Sequence, residues 1–465
     1  MGNIKTKELT RLGYKDNLAK SMIVQIVARH CKHVPNEEIL STLVDIQNQP
    51  EKFRQNAVWR PLIDLLRPIE PEVHLYDLFP QPIAYRVYGE EEIEPLARQQ
   101  IEMSMRLPVT VGGALMPDGH AGYGLPIGGV LATEGVVIPY AVGLDIACRM
   151  SLTLLDADAS FIDRHHDLCV SALQRNTAFG INAQMPVAQY HPVFDKPEFK
   201  EIPLLKGFRE KAIRQLGSSG KGNHFVDICE VVLKGGNALG LPQGSYVGLL
   251  SHSGSRGLGA KIAEHFTSVA KSTCRLPVEA GAFAWLDLKT EAGEEYWRCM
   301  TIAGEYSEAN HERIHGNVME ALGLRPLASV SNHHNFAWKE ILGGGREVIV
   351  HRKGATPAHL GELGLIPGSM ASPGYLVSGL GHADSLCSAS HGAGRAMSRQ
   401  EARNTFSRHA LRKYLAERNV TLIGGSTEEA PLAYKDIDHV MASQQELVRI
   451  EGTVIPRVVR MAEEE

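Results

Sequence analysis

The chain has 465 residues, 43% of them hydrophobic and 22% charged, and it carries a net charge of −5. Such a composition is that of a globular protein with chain enough for one large core or two. It excludes a uniformly basic, nucleic-acid-coating surface but not local Arg/Lys clusters that hold nucleic-acid ends. Seven scattered cysteines without CxxC pairing predict a reducing compartment and no disulfide framework. The first sixteen residues are polar and lack an apolar signal core, and the apolar run 128–138 is broken by Glu134 and Gly135. No secretory signal and no membrane span are therefore expected, and the protein is expected to be cytoplasmic.

In chain order, residues 18–30 and 36–48 carry helix-period apolar positions, and Asn36 followed by Glu37 and Glu38 predicts an N-cap with an acidic first turn. Residues 50–68 offer a further short helix, after which Pro68, Pro71, Pro80 and Pro82 mark a connector. An N-terminal helical segment, 1–70, is thus expected ahead of a main domain, 71–465; the segment either packs on that domain or binds a partner. Beyond residue 85 the pattern changes to short Val/Ile-rich runs separated by glycine turns. Strands are expected at 246–250, 347–351 and 375–377, and helices at 256–271, 293–314 and 398–417. The class is α+β, without internal repeats, and its polar motifs fall at strand ends and in Gly/Ser loops.

Asp145-Ile-Ala-Cys148 places a carboxylate and a thiol three residues apart in an apolar, glycine-rich stretch. Ionised, both need a cation or strong donors to offset lost hydration. Any one of the 20 histidines is more simply read as structural or exposed. Five of them, however, sit in four dense polar-glycine motifs, at His224, His252, the pair His333-His334 and His391. Imidazole, carboxylate and thiolate together form a ligand set for Zn or Mn, and neighbouring ions often share a bridging ligand. Two such ions suit phosphoryl transfer. Glycine turns at 216–223, 367–370 and 391–395 expose backbone N–H groups that can cradle anions, with Lys221, Arg256, Arg352, Lys353 and Arg395 nearby to add charge. No Walker loop and no strand–GxGxxG–helix unit is present. His391, followed by Gly392 and Gly394, can serve as nucleophile, general base or metal ligand.

The segments MPDGHAGYGLPIGG, VGLDIACRM, LGSSGKGNHF, HSGSRG, HHNFAW, HRKGATPA, IPGSM, SHGAGRAMSR and AYKDID occur in the order found in the RtcB family of RNA-splicing and RNA-repair ligases. The resemblance covers about residues 95–445, and the N-terminal 70 or so residues look like an addition to the usual family start. It implies one α+β domain of the family's own architecture. It also implies ligation of an RNA 3′-phosphate or 2′,3′-cyclic phosphate to a 5′-hydroxyl, using GTP and two Mn2+ ions. Substrates of that kind include tRNA halves and other cleaved RNA, and an activating helper protein can be a further partner. By the resemblance Asp145, Cys148, His224, His252 and His334 hold the ions, with Cys148 bridging, and His391 accepts GMP. Nucleotide contacts are implied at Asn223, Asp227, Arg256, Lys353, Pro367, Ser369, Met370, Gly374 and along Gly392-Ala393-Gly394.

This sequence departs from the family pattern where the base would sit. Asp227 stands where a glutamate is usual, Gly374 where a serine is common, and Ala371-Ser372-Pro373 differs from the usual loop; the chain ends Arg460-Met-Ala-Glu-Glu-Glu465 rather than in Lys-Gly. The expectation is that GTP stays preferred with weaker discrimination. Two alternatives belong to other classes. One is a metal-dependent phosphoesterase acting on RNA ends without ligation; the other is a non-catalytic RNA-end binder. An intact His391 loop and intact ligand positions argue against both.

Overall fold

The structure, a computed structural model, describes residues 4–67 and 73–463, which divide into two units between Glu72 and Val73. Pro68 and Pro71 of the expected connector lie outside the described residues. The first unit is helical: α1 (Thr6–Arg11), α2 (Asn17–His30), α3 (Asn36–Asn48) and α4 (Arg60–Leu66). Asp16 caps α2 by accepting the Ala19 N–H at 2.9 Å. Ala19, Ile23, Ile26 and Val27 then face inward at helical spacing and meet Ile39, Leu43 and Ile46 of α3. The cap expected at Asn36 is displaced by one: Pro35, which has no side-chain acceptor, occupies the cap and Asn36 opens the helix. Proline's fixed φ suits the entry to a helix, and Glu37 and Glu38 still place charge against the positive end.

The second unit is built on two sheets. Its principal strands are β1 (Thr110–His120), β2 (Ile127–Thr133), β3 (Arg149–Asp158), β4 (Phe225–Leu233), β5 (Gly244–Ser253), β6 (Pro326–His333), β7 (Asn335–Leu342), β8 (Arg346–Lys353), β9 (Leu363–Ile366), β10 (Gly374–Gly379), β11 (Thr421–Gly425) and β12 (Val448–Glu463). The larger sheet runs β6-β3-β5-β4-β12-β10-β9 in antiparallel pairs, with β11 added parallel to β12. The smaller runs β7-β8-β2-β1, with a short edge strand at Arg86–Val87. The expected strands are the middles of β5, β8 and β10. The helix expected at 256–271 is Arg256–Thr273, and that at 293–314 is a 32-residue helix, Glu291–Leu322. The helix expected at 398–417 is two, Arg399–Thr405 and Arg408–Ala416. Ser407 breaks it by turning its hydroxyl onto the Ala410 N–H, starting a new cap.

Period-two alternation gives the larger sheet two buried faces. Met150, Leu152, Leu154, Cys229, Val231 and Leu250 pack to one side. Val226, Ile228, Val247 and Leu249 pack to the other, against Ile314, Val318 and Leu322 of the long helix. Each such side chain contributes about 1.5–3 kcal/mol by leaving water.

Several buried histidines make this unit acid-sensitive, His351 and His315 among them. His351 accepts the Ile138 N–H on Nε2 (2.9 Å) and donates Nδ1–H to the Leu131 carbonyl (3.1 Å), and burial pushes its pKa down to about 4. Burial holds His315 down to about 3. The unfolded chain therefore binds more protons below its ordinary histidine pKa of about 6.5, and stability falls as pH drops through that value toward 4. Each group costs about 1.4 kcal/mol per pH unit in that window. Urea unfolding in chelator at pH 7 and pH 5 is expected to differ by about 2–4 kcal/mol, lower at pH 5; equal stabilities would remove both groups from the account.

Candidate metal and nucleotide site

Sheet order gathers residues that are far apart in sequence. β3 and β4 begin, and β5 and β6 end, at the same edge of the large sheet, because each neighbouring pair is antiparallel. Cys148 immediately precedes β3, His224 precedes β4, His252 is the penultimate residue of β5, and His334 follows β6. Met150 and Phe225 both pair with His252. Atoms able to ligate a metal converge as two triads, Cys148/His252/His334 and Asp145/Cys148/His224, each with its atoms within 4.8 Å of one another. Cys148 belongs to both. Its Sγ lies 3.1 Å from His252 Nε2 and 3.4 Å from His224 Nε2; His224 Nε2 lies 3.1 Å from Asp145 Oδ2, and the Nε2 atoms of His252 and His334 are 3.3 Å apart.

Hydrogen bonding fixes how these groups present themselves. His252 Nδ1 lies 3.0 Å from the Asn223 carbonyl, which can only accept, so Nδ1 holds the proton and Nε2 aims a bare lone pair at Cys148 and His334. Lone pairs and a thiol packed this closely call for a shared cation. Burial, reinforced by the Asp145 carboxylate, pushes the Cys148 thiol well up; a bound divalent ion reverses that and ionises it. Burial pushes Asp145 up, but the hydrogen bonds from His224 and Cys148 and the charges of His224 and His252 together hold it below the ordinary carboxylate value. Gly254 makes room for this carboxylate, since a Cβ there would stand 2.2 Å from Asp145 Oδ1. The donor set fits two ions sharing a thiolate.

Alternation also explains how His252 is held. Its neighbour Ser251 points to the opposite face, where His311 and His315 of the long helix take its hydroxyl at 2.6 and 2.7 Å. His311 Nε2 donates to the Ser253 carbonyl (3.2 Å), so its Nδ1 accepts from Ser251. Ser251 in turn accepts from His315, whose Nδ1 accepts from Thr153 at 2.8 Å. One consistent chain of donors locks the strand end that carries His252.

His391 stands on the far side of the cluster, with its ring centroid 4.8 Å from that of His334. Asp118 of β1 is fully buried; its Oδ2 accepts His391 Nδ1–H at 2.7 Å and the His391 backbone N–H at 3.2 Å. With its proton on Nδ1, His391 keeps a free lone pair on Nε2. Gly394 permits this approach: its φ is +74°, and a Cβ there would lie 2.3 Å from the Asp118 carbonyl oxygen. A cavity of about 430 Å³ joins the two triads to His391.

Of the residues named from the sequence, Asn223, Asp227, Lys353, Pro367, Ser369, Met370, Gly374, Gly392, Ala393 and Gly394 line this cavity, as do the five candidate ligands and His391. Asp227 reaches it from β4 among Leu250, Met370, Val459 and Met461; burial pushes its carboxyl well up, and its Oδ1 has no partner among the described residues. Lys353 Nζ donates to the Tyr123 carbonyl, and burial lowers its pKa to about 8. Arg256 is not among the lining residues: its guanidinium donates to Ser218 Oγ (3.2 Å) and the Gly180 carbonyl (2.6 Å) behind the 216–223 loop. Arg352 is consumed elsewhere, paired with Glu340 at 2.6 Å and lying over the Trp338 ring. Arg395 lines the cavity but is clasped by Glu429 at 3.0 Å. Sequence reasoning missed Asp118, His120 and the Ser251–His311–His315 chain. The first two lie inside MPDGHAGYG, where a carboxylate between Pro and Gly was the available signal.

The family described as tRNA-splicing ligase RtcB matches the chain over residues 100–201 and 200–461. The RNA-splicing ligase RtcB of Escherichia coli (strain K12) is 31% identical over 387 residues, a match spanning 77% of this chain and 92% of that protein. The protein of the same description from Mycobacterium tuberculosis (strain ATCC 25618 / H37Rv) is 32% identical over 410 residues, spanning 73% and 94%. The tRNA-splicing ligase RtcB of Thermococcus kodakarensis is 28% identical over 435 residues, spanning 77% and 89%. Every residue of the site, from Asp118 to Met461, falls within the matched region, and the chain belongs to the RtcB family.

Proposed function

We propose that the chain is a GTP- and Mn2+-dependent RNA ligase. It joins an RNA 3′-phosphate, or a 2′,3′-cyclic phosphate once opened by water, to a 5′-hydroxyl through GMP carried on His391. Its substrates are tRNA halves or other cleaved RNA. The observation that carries this reading is the His391–Asp118 pair beside the two triads. An imidazole held in one tautomer with a free Nε2 is a phosphorus nucleophile; phosphoester hydrolysis requires none.

The steps follow from the groups present. His391 Nε2 attacks the α-phosphorus of GTP, the bond to the bridging oxygen breaks, and pyrophosphate leaves; Asp118 offsets the charge that develops on the ring. An oxygen of the RNA 3′-phosphate then attacks the same phosphorus and the P–N bond breaks, restoring the imidazole. Finally the 5′-hydroxyl oxygen attacks the 3′-phosphorus, giving up its proton, and GMP leaves with the bonding pair. Divalent ions, when bound by Asp145, Cys148, His224, His252 and His334, neutralise phosphate charge throughout. Asn223 and the Gly392–Gly394 backbone offer donors to nucleotide phosphates.

Asp227 governs base choice in this reading. An ionised carboxylate offers two acceptors that match guanine N1–H and N2–H, whereas a protonated one offers a donor and an acceptor, which suits adenine. Its short side chain and apolar setting weaken the first pairing without abolishing it. Incubation with α-labelled GTP, Mn2+ and a 3′-phosphate/5′-hydroxyl RNA pair is expected to give an acid-labile, alkali-stable label on the protein and a joined RNA. GTP is expected to outcompete ATP by only about tenfold, ~1.4 kcal/mol. Equal labelling by ATP would sink the guanine preference. Cyclic-phosphate opening without any adduct would point instead to a phosphoesterase.

A further inference from the structure

Tyr123 is a large aromatic side chain left 72% exposed at the rim of the reaction cavity. Its hydroxyl has no hydrogen-bond partner among the described residues, and its ring lies 6.5 Å, centroid to centroid, from that of Tyr140 without stacking on it. The backbone beneath it is held at three successive residues. The Ala121 N–H donates to Glu94 Oε2 at 2.8 Å, the Gly122 N–H donates to Gln100 Oε1 at 3.0 Å, and the Tyr123 carbonyl accepts from Lys353 Nζ. Gly124, at φ +71°, completes the turn. A pinned loop that presents a bare ring pays its conformational entropy before any ligand arrives. Lys271 and Lys353 both lie over the ring of the neighbouring Tyr140, at 5.6 and 5.5 Å, so cationic side chains stand one ring away from Tyr123. An aromatic face next to lysine ammonium groups is how proteins hold single-stranded RNA, the ring taking a base and the cations its phosphates.

We propose that Tyr123 is a stacking platform for a nucleobase at one of the two RNA ends brought to this cavity, with Lys271 contacting the adjoining phosphate. The proposal rests on the ligase reading above. Tyr123 itself takes no part in bond making; it sets where the strand lies.

The test uses the full chain carrying Tyr123→Ala, Tyr123→Phe or Tyr123→Trp, with fluorescence anisotropy of short 3′-phosphate and 5′-hydroxyl RNAs and the KM and kcat of joining as readouts. For one of the two RNAs, Tyr123→Ala is expected to raise Kd and KM about 10–100-fold, the range for one lost base stack, with kcat within about threefold. Phe and Trp are expected to restore both to within about threefold, because either ring supplies the face. An RNA abasic at its terminal nucleotide is expected to bind the wild type as weakly as normal RNA binds the alanine variant, and to be indifferent to the substitution. Unchanged Kd for both RNAs in Tyr123→Ala, or an equal loss with the abasic RNAs, would overturn the proposal. Failure of the wild type to take label from GTP counts against the ligase reading instead, and the anisotropy comparison still decides the role of Tyr123.

Discussion

His391→Ala is expected to abolish covalent nucleotide uptake, lowering adduct formation and joining by at least about 10³-fold, because no other group in the cavity combines a free lone pair with this position. Asp118→Asn separates nucleophile from positioning. The amide keeps the volume but loses the negative charge, so it neither favours Nδ1–H as strongly nor stabilises the positive ring formed on attack. A loss of about 10²–10⁴-fold in the rate of adduct formation is expected, with GTP affinity changed far less. The measurement is the time course of α-labelled GMP on the denatured protein. An Asp118→Asn rate equal to that of wild type would refute the positioning role, and a label retained in His391→Ala would place the nucleophile elsewhere.

Cys148→Ser is expected to weaken binding of both ions, by about 10²-fold or more, since a serine hydroxyl is not ionised by a metal as readily as a thiol. The reason both are affected is geometric: Cys148 belongs to each triad. Asp145→Ala and His334→Ala then serve as opposite controls, because each belongs to one triad only. Calorimetric titration with Mn2+ is expected to show one tight site surviving in each control and none in Cys148→Ser. Wild-type affinity in Cys148→Ser would rule out the shared thiolate. Truncation at Asp145 also leaves the Gly254 contact unfilled, so unfolding midpoints in chelator belong beside the titration.

The class of the fold and the ordinary strands and helices were legible because caps and apolar periodicity are local properties. The misplaced cap at Asn36 and the divided helix at 398–417 show where that reading stops. Pro35 and Ser407 each won a competition between neighbouring residues for a single backbone N–H or φ, and periodicity does not decide such contests. The charged loops were less legible still. Arg256, Arg352 and Arg395 carry the same sign, and each sits within two residues of a glycine in sequence. Yet Arg352 is neutralised by Glu340, Arg395 is clasped by Glu429, and Arg256 turns behind its loop.

By itself the sequence determined which chemistry this protein owns: a thiol, a carboxylate and a set of histidines in polar-glycine settings, in motif order shared with one family. Tertiary structure alone decided which of those groups meet. Four antiparallel strands carry Cys148, His224, His252 and His334 to one edge, and a second sheet brings Asp118 against His391. The same packing puts Ser251 under two helix histidines, which fixes the strand end that carries His252. Side-chain identity is fixed residue by residue. Proximity depends on strand order and register, which arise from burial summed over the whole chain.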